Sequence, residues 1–399
     1  MNDVTPTDNP TGDDARPPAG SDDTILSVRD LTKVYPDGTV AVDEVSFDIQ
    51  QGDFCVLIGP SGCGKSTTLH SLVGRFPVTS GQVLLDGDDI THKETHTRDI
   101  GLVFQDFQLF PHLTVTENIE YGLKQTGIPQ AEKDERIEEI VDVMRLETMR
   151  DRHPEELSAG QKQRVALARS LVLEPKLLLL DEPLGDMDYK LQKRMERELL
   201  RIHREMDTTF VYVTHDQTQA MRLGDQLVVM NDGKIEQSSS TDAVYNEPAT
   251  AFVSTFVGDS NVFTGEITTV SDDGRTAELD TRFGTFWAAT ANLDSNPESL
   301  LGESIPFSVR PHQFELGTHE ENVLSCDVDD VLHQPGNGTQ ILLTATDSDG
   351  DTGEFQLQSA DILSVEDQVD ITWSPDHATL LERTSVLEDI DLEEDVLGE

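Results

Sequence analysis

The sequence contains few of the residues that stabilise small secreted proteins. It has 3 cysteines in 399 residues, Cys55, Cys63 and Cys326, and they are widely separated. Such spacing excludes a disulfide framework and a zinc site built on paired thiolates. Aromatic residues make up only 6% of the chain, so its core must be built mainly from aliphatic side chains. We interpret the three cysteines as free thiols.

Long apolar runs are also missing. The leucine run at residues 177–180 has the length of a strand, and no run approaches the roughly 20 residues that a transmembrane helix needs. The first residues have neither the basic segment nor the apolar segment of a secretory signal peptide. We therefore expect a cytosolic chain without membrane-spanning helices.

Basic residues are scarce. The chain has 77 acidic and 29 basic residues, a net charge of -48, and no lysine follows Lys234. A surface of this charge repels nucleic acids and anionic lipids, so we expect no nucleic acid partner. Its self-repulsion is screened only when molar salt shortens the Debye length to about 3 Å. The acidic excess extends along the whole chain, which favours a halophilic source over a local acidic interaction surface.

Changes in composition divide the chain into segments. Residues 1–23 are polar and predict a disordered acidic tail. Residues 24–258 alternate short apolar strands with amphipathic helices, which indicates an α/β domain around a largely parallel sheet, with a helical subdomain at about 106–160. Residues 259–387 contain short β-like runs and Asp-Gly turns, which predict a small β-barrel domain. Residues 388–399 form a second acidic tail.

A glycine-rich loop lies between a predicted strand at 54–58 and a predicted helix at 65–75. Its spacing fits the phosphate-loop pattern G-x-x-x-x-G-K-[ST]. Glycines allow successive backbone N–H groups to face one point at a helix N-terminus, where they bind a polyphosphate such as that of ATP. We predict that Lys65 contacts the β- and γ-phosphates and that Ser66 binds Mg²⁺. The candidate nucleotide-binding residues of this loop are Gly59, Pro60, Ser61, Gly62, Cys63, Gly64, Lys65, Ser66 and Thr67.

Two carboxylates end the leucine-rich strand. Asp181 follows Leu180 directly and can hold Mg²⁺, directly or through water. Glu182 then lies where an attacking water is expected and can act as a general base. In so acidic a chain the pair alone fits a solvated turn equally well, but the phosphate loop upstream favours catalysis.

Between these two motifs lies Leu157-Ser158-Ala159-Gly160-Gln161. It closely resembles the signature motif of ABC ATPases, usually Leu-Ser-Gly-Gly-Gln. With it, residues 25–258 resemble the nucleotide-binding subunit of an ABC transporter, which has an α/β P-loop NTPase fold with a helical subdomain. The departures are Ala159 in place of glycine, and Asp186 and Met187 in place of small and apolar residues in the following loop.

The resemblance implies further site residues. Tyr35 matches the aromatic residue that stacks on adenine, and Gln105 matches the glutamine that senses Mg²⁺ and the membrane subunit. Asp188 matches an aspartate of the loop after the acid pair, and His215 matches the histidine that contacts the γ-phosphate. Ser158, Gly160 and Gln161 would face ATP held by a second subunit in a head-to-tail dimer. The implied catalytic residues are Glu182, His215 and Lys65, and the implied metal contacts are Ser66, Gln105 and Asp181.

The β region carries its own resemblance. The segments 260–265 and 308–311 resemble the OB-like, TOBE-type C-terminal domain of importer ATPases. Residues 259–399 have four arginines, no lysine and 32 acids, which argues against nucleic acid binding by this barrel. A regulatory or dimer-stabilising role is implied instead.

The resemblance also implies partners. These are two transmembrane permease subunits, an external solute-binding protein and a second ATPase subunit, either identical or a paralogue, at the cytoplasmic face of the membrane. The segments 182–185 and 212–217 most resemble spermidine/putrescine-type subunits, with sugar, iron and thiamine importers as alternatives. A soluble ABC ATPase outside transport is a distant alternative, because the chain has one phosphate loop and no coiled-coil heptads. Residues 109–113 fit either a docking surface for a membrane subunit or ordinary core.

Overall fold

The structure is a computed structural model that describes residues 23–185, 187–206, 208–293, 295–334, 338–359, 364–365 and 367–381. The predicted tails at 1–23 and 388–399, apart from Asp23, lie outside the described residues, as does Asp186. Within the described ranges, no helix is both long enough and apolar enough to cross a membrane.

Two sheets and the helices around them form the first part of the chain. Its strands are β1 (Thr24–Val34), β2 (Val40–Gln50), β3 (Phe54–Ile58), β4 (Ser80–Leu85), β5 (Asp88–Asp89), β6 (Ile100–Val103), β7 (Leu177–Asp181), β8 (Thr209–Thr214), β9 (Gln226–Asn231) and β10 (Lys234–Ser240). Its helices are α1 (Lys65–Leu72), α2 (Val115–Leu123), α3 (Gln130–Val143), α4 (Ala159–Leu171), α5 (Tyr189–Met206), α6 (Gln217–Leu223), α7 (Thr241–Asn246) and α8 (Ala251–Phe256).

The larger sheet has the order β10-β9-β3-β8-β7-β6. Its strands pair in parallel except for β10, which pairs antiparallel with β9. Parallel strands need both faces covered, which explains why β3 and the leucines of β7 are buried without alternation. The predicted α/β fold with a largely parallel sheet is confirmed.

Successive side chains of β3 serve two different cores. Cys55 and Leu57 pack with α1 and the smaller antiparallel sheet, whose order is β2-β1-β4-β5. Phe54, Val56 and Ile58 pack in a second core that contains residues of α2 to α6. Helix α1 is therefore held between the two sheets, directly after the glycine-rich loop.

Helices α2 and α3 lie within residues 106–160, and α4 begins at the end of this segment, at Ala159. Thr114 begins α2 with a capping box, in which its side chain accepts a hydrogen bond from the Glu117 N–H while the Glu117 carboxylate accepts one from the Thr114 N–H. Helix α5 buries Met195, Leu199 and Ile202 and leaves its charged residues outside the core, except Glu196, which is buried. This amphipathic pattern is the one that the sequence predicts.

The C-terminal part of the described chain is all-β. Its strands are β11 (Asn261–Val270), β12 (Thr276–Thr281), β13 (Gly284–Ala289), β14 (Ser304–Val309), β15 (Glu315–Leu316), β16 (Asn322–Gln334), β17 (Gly338–Thr346), β18 (Thr352–Ser359), β19 (Gln368–Trp373) and β20 (Thr379–Leu380). Five of them close a barrel in the order β11-β12-β13-β20-β14, and the other five form a sheet in the order β15-β19-β16-β17-β18. One aromatic core, centred on Phe263 and Trp373, joins the barrel and the sheet.

Arg310 connects the two parts of the chain. It follows β14, yet its guanidinium donates hydrogen bonds to the backbone carbonyls of Ser254, Gly258 and Tyr245, at the end of the α/β domain. The guanidinium carbon also lies 4.3 Å from the centre of the Tyr245 ring. Burial lowers the pKa of Arg310. This buried side chain thus links the β domain to helices α7 and α8, together with the His312 ring, which stacks on Tyr245 at 6.4 Å between ring centres.

Candidate functional site

The predicted site residues follow parallel strands at one edge of the larger sheet. Ile58 pairs with Thr214, Asp181 with Val213, and Val103 with Leu180. The segments after these strands therefore leave the sheet at the same level. They carry the glycine-rich loop, Glu182, His215 and Gln105. This edge, at the carboxyl ends of the strands, is where α/β sheets bind ligands.

The shape of the loop depends on its glycines. A Cβ atom on Gly59 would lie 2.1 Å from the carbonyl oxygen of Met230, and one on Gly64 would lie 2.3 Å from that of Ala41. Gly62 and Gly64 also have φ angles of 88° and 101°, in the left-handed region that other residues avoid. Gly62 faces open space. The loop therefore curves around a concavity that only glycine permits.

Lys65 is held at the centre of this loop. It is 6% exposed, and its Nζ donates hydrogen bonds to the carbonyls of Gly59 and Pro60 at 2.8 and 2.7 Å. The Cys63 thiol lies 3.7 Å from the same Nζ, and burial raises the pKa of Cys63. The ammonium group is thereby fixed beside the concavity, where an anionic ligand would meet it.

Asp181 meets two side chains of helix α1. Ser66 Oγ donates a hydrogen bond to Asp181 Oδ1 at 3.2 Å, and His70 Nε2 lies 3.3 Å from Asp181 Oδ2. The first contact brings together two of the three predicted metal contacts. Hydroxyl and carboxylate oxygens are the ligands that Mg²⁺ prefers.

Glu182 and His215 form a pair at the ends of β7 and β8. Glu182 Oε2 lies 3.3 Å from His215 Nδ1, and the Glu182 N–H donates to the Val213 carbonyl. Glu182 has a φ of 43°, a left-handed conformation that is uncommon outside glycine. Strained backbone of this kind persists where the surrounding structure holds a side chain in one direction. The carboxylate is thus aimed at His215, whose side chain is mostly exposed.

Gln105 completes this side of the site. A Cβ atom on Gly185 would lie 3.5 Å from Gln105 Nε2 and 3.8 Å from Glu182 Oε2. The amide of Gln105 and the carboxylate of Glu182 therefore both lie next to Gly185.

Tyr35 lies beside α1. Its hydroxyl is 3.3 Å from Thr67 Oγ1, and its ring lies edge-on to Phe76, with 6.2 Å between ring centres. The position after β1 brings an aromatic ring close to the helix that follows the loop. This arrangement suits a ring that flanks a base whose phosphates lie in the loop.

The signature residues lie elsewhere. The Ser158 N–H donates to Gln161 Oε1 at the start of α4, and a Cβ atom on Gly160 would lie 3.0 Å from Met195 Sδ on α5. Asp188 accepts a hydrogen bond from the Leu191 N–H at the start of the same α5. Within the ranges described above, no hydrogen bond or ion pair joins Ser158, Gly160, Gln161 or Asp188 to the loop. The chain thus presents two separate clusters of predicted site residues.

His70 is the one residue of the first cluster that sequence reasoning missed. Its signal was its position four residues after Ser66, which places both side chains on one face of α1. The contact itself could not be foreseen, because it depends on how α1 packs against β7.

Two family models match the chain. The model described as ABC transporter matches residues 42–185, which contain the loop, the signature segment and the acid pair. The model described as TOBE domain matches residues 307–381 of the β domain. Both matches agree with the fold classes predicted from the sequence.

Relatives extend this similarity to most of the chain. The spermidine/putrescine import ATP-binding protein PotA of Thermobifida fusca is 40% identical over 366 residues, which cover 89% of this chain and 93% of that protein. PotA of Rubrobacter xylanophilus is 38% identical over 357 residues, with the same coverage. The cbiO1 structure from Clostridium perfringens, part of the ABC transporter complex cbiONQ, is 32% identical with a TM-score of 0.53, covering 56% of this chain and 92% of that one. The chain belongs to the ABC transporter ATP-binding proteins, the ATPase subunits of this family.

Proposed function

We propose that this chain is the ATP-hydrolysing subunit of a polyamine importer of the spermidine/putrescine type. The observation that carries the proposal is the convergence of Lys65, Ser66, Asp181, Glu182 and His215 at one sheet edge. The 40% identical relative named for spermidine and putrescine import supports the choice of solute. The ATPase domain is assigned to residues 24–258, and the β domain that follows has a regulatory role.

The loop fits a nucleotide polyphosphate. Gly59 and Gly64 permit a curvature that a Cβ would block, and Lys65 supplies a positive charge at its centre. Helix α1 has no acidic residue in its first turn, so its N-terminal partial charge is left for an anion. In the proposal, residues 59–67 hold the phosphates of ATP and Tyr35 flanks the adenine.

The residues present also fit Mg²⁺. Ser66 and Asp181 offer two hard oxygens 3.2 Å apart, and Mg²⁺ is usually held by one or two such groups together with substrate phosphates. Gln105 is the third proposed contact. When bound, the ion would neutralise charge on the β- and γ-phosphates. Ser66, Asp181 and Gln105 would hold and orient it.

Hydrolysis requires a base beside the γ-phosphate. Glu182 accepts the proton of the attacking water in the proposal, because its carboxylate is fixed at the sheet edge next to the loop. His215, 3.3 Å away, orients this carboxylate and contacts the γ-phosphate. Lys65 stabilises the charge on the phosphates as the bond to the leaving group breaks.

The loop cluster and the signature residues lie apart on one chain. This separation favours a dimer in which each nucleotide site combines the loop of one subunit with the signature residues of the other. Ser158 and Ala159 are exposed at the start of α4, a 13-residue helix without an acidic residue in its first turn. A helix end of this kind attracts an anion, yet it does not contact the chain's own loop. In the proposal, it caps the γ-phosphate of ATP held by a second subunit, identical or paralogous. Gln161 and Asp188 belong to the same interface.

The membrane partners are two permease subunits, which receive solute from an external binding protein. The rings of Phe110 and Tyr121 are tilted against each other, with 4.3 Å between their centres, and Tyr121 is 44% exposed. The Arg169 guanidinium lies 5.3 Å from the centre of the Phe110 ring. This partly exposed aromatic group lies five residues after Gln105, so it suits a surface that couples a permease to the nucleotide. We place the chain at the cytoplasmic face of the membrane.

Solute uptake tests the proposal. Cells that depend on this chain are given labelled spermidine, maltose or ferric iron, and the chain carries Glu182→Gln. Loss of spermidine uptake alone is expected. The control is Glu139→Gln, an exposed position on α3 outside the site, which removes the same charge.

Each other outcome contradicts part of the proposal. Loss of maltose or iron uptake alone would replace the solute while keeping the ATPase role. Normal uptake of all three solutes, with the variant expressed at the wild-type level, would refute the role in polyamine import.

A further inference from the structure

Two side chains of helix α1 contact the two oxygens of the Asp181 carboxylate. Ser66 and His70 are four residues apart and share a face of the helix. Ser66 Oγ contacts Asp181 Oδ1 and His70 Nε2 contacts Asp181 Oδ2, at 3.2 and 3.3 Å. Both oxygens of the carboxylate are therefore engaged by the same helix, and rotation of the Asp181 side chain would break a contact on each side.

The His70 ring packs between aromatic side chains that offer no hydrogen-bond partner to its Nδ1. It is 8% exposed and lies 5.1 Å from the ring of Phe76 and 6.1 Å from that of Phe104. Its Nδ1 is buried and has no hydrogen-bond partner among the described residues. A phenylalanine or leucine would fill this space without leaving a polar atom unpaired. A buried imidazole with an unpaired nitrogen therefore needs an explanation, and the contact of its other nitrogen, Nε2, with Asp181 supplies one.

The contact with Asp181 also assigns the ring proton. With the proton on Nε2, the imidazole places the positive end of its N–H dipole near Asp181 Oδ2, 3.3 Å away, and Nδ1 remains as an unpaired acceptor. With the proton on Nδ1, two acceptors would face each other across 3.3 Å, and a buried N–H would have no partner. The first tautomer is the favourable one.

We infer that His70 is a positioning residue for the metal ion: it holds Asp181 so that Oδ1 faces Ser66 and the nucleotide. The inference rests on the proposed function, which makes Asp181 a metal contact. Mg²⁺ requires near-ideal octahedral geometry, so a carboxylate that turns freely binds it poorly. Groups behind a metal ligand commonly change metal affinity by about 10- to 100-fold. Because the same ring packs against Phe104, it also supports the residue that precedes Gln105.

Nucleotide binding with and without metal tests this role. ADP affinity is measured in Mg²⁺ and in EDTA for the wild type, His70→Gln and His70→Phe, and ATPase kcat and KM are measured in parallel. Glutamine places an amide N–H near the position of Nε2, whereas phenylalanine fills the space without a donor. For His70→Phe we expect about a tenfold loss of the Mg²⁺-dependent tightening. Affinity in EDTA stays unchanged, whereas KM for ATP in Mg²⁺ rises and kcat falls. His70→Gln keeps the Mg²⁺ response within about threefold of the wild type.

His203→Phe is the matched control. His203 is also a largely buried histidine of this domain, lies edge-on to Phe54 and Phe210, and has a buried Nε2 without a hydrogen bond. It belongs to α5, and we expect its replacement to leave the Mg²⁺ response unchanged. An equal loss in His203→Phe would overturn the inference, because the effect would then be general. A wild-type Mg²⁺ response in His70→Phe would overturn it as well.

A second pair of variants covers a failure of His70→Phe to fold. His70→Asn carries the same amide as His70→Gln on a shorter side chain, which ends before the position of Nε2. The inference requires that asparagine loses the Mg²⁺ response and glutamine keeps it, and equal responses would refute it. If the wild type itself binds ADP equally in Mg²⁺ and EDTA, the proposed function fails together with the inference.

Discussion

Replacement of Glu182 by glutamine separates nucleotide binding from hydrolysis. The amide has nearly the shape of the carboxylate, and the backbone at 182 keeps its hydrogen bond to the Val213 carbonyl. The fold should therefore tolerate the change. What is lost is the group that accepts the proton of water, and such a base contributes about 10²- to 10⁴-fold in rate. This factor corresponds to roughly 2.7 to 5.5 kcal/mol of transition-state free energy.

ATP affinity should stay equal or become tighter, because one negative charge is removed beside a polyphosphate. The assay combines phosphate release, equilibrium ATP binding and size-exclusion chromatography in Mg²⁺ and high salt. The expected result is a kcat at least 100-fold lower, ATP binding as tight as in the wild type or tighter, and a shift to an ATP-dependent dimer. A kcat within about threefold of the wild type would refute the assignment of Glu182 as the base. Glu139→Gln should behave as the wild type.

Three further outcomes test other parts of the molecule. Lys65→Ala should weaken ATP binding by roughly 10- to 100-fold, because charge-assisted hydrogen bonds to the phosphates are lost, and unchanged affinity in a binding titration would contradict the loop assignment. Lowering KCl from molar to about 0.1 M should lower the unfolding temperature and the activity, since a net charge of -48 is then poorly screened. Full stability in dilute buffer would contradict halophilic adaptation. Arg310→Met should destabilise the junction by about 3 kcal/mol or more, because it leaves three backbone carbonyls without their donor. Calorimetry should show the β domain unfolding earlier, and an unchanged trace would exclude Arg310 as the connection.

The parts of the fold that follow a local pattern could be predicted. The glycine-rich loop between β3 and α1, the buried strand β7 and the amphipathic α5 each have a periodicity or spacing of their own. Strand β4 was not predicted, because its first three residues are exposed and only its last three are apolar. The predicted helix at 65–75 ends at Leu72, since the chain turns at Gly74, whose φ is 81°.

The two β units illustrate a different limit. Short strands with turn residues predicted a barrel-type domain, and a TOBE domain model matches residues 307–381. Division into a closed barrel and a second five-stranded sheet was not predictable, because strand pairing joins residues far apart in sequence. The parallel pairing of Ala289 in β13 with Thr379 in β20 is one example.

The sequence by itself determined which residues we assign to the proposed chemistry, apart from His70. A phosphate-binding loop requires glycines and a lysine at fixed spacing. Metal binding and activation of a water molecule require carboxylates, which here follow a buried strand. Both requirements are therefore recognisable as sequence motifs. Tertiary structure alone decided which of these residues meet. The parallel register brings Glu182 to His215, and the packing of α1 on β7 brings Ser66 and His70 to Asp181. The fold also separates the signature residues at the start of α4 from the chain's own loop, because their contacts are with α4 and α5. Such contacts join positions more than 30 residues apart, because they depend on how whole strands and helices align, which no local pattern encodes.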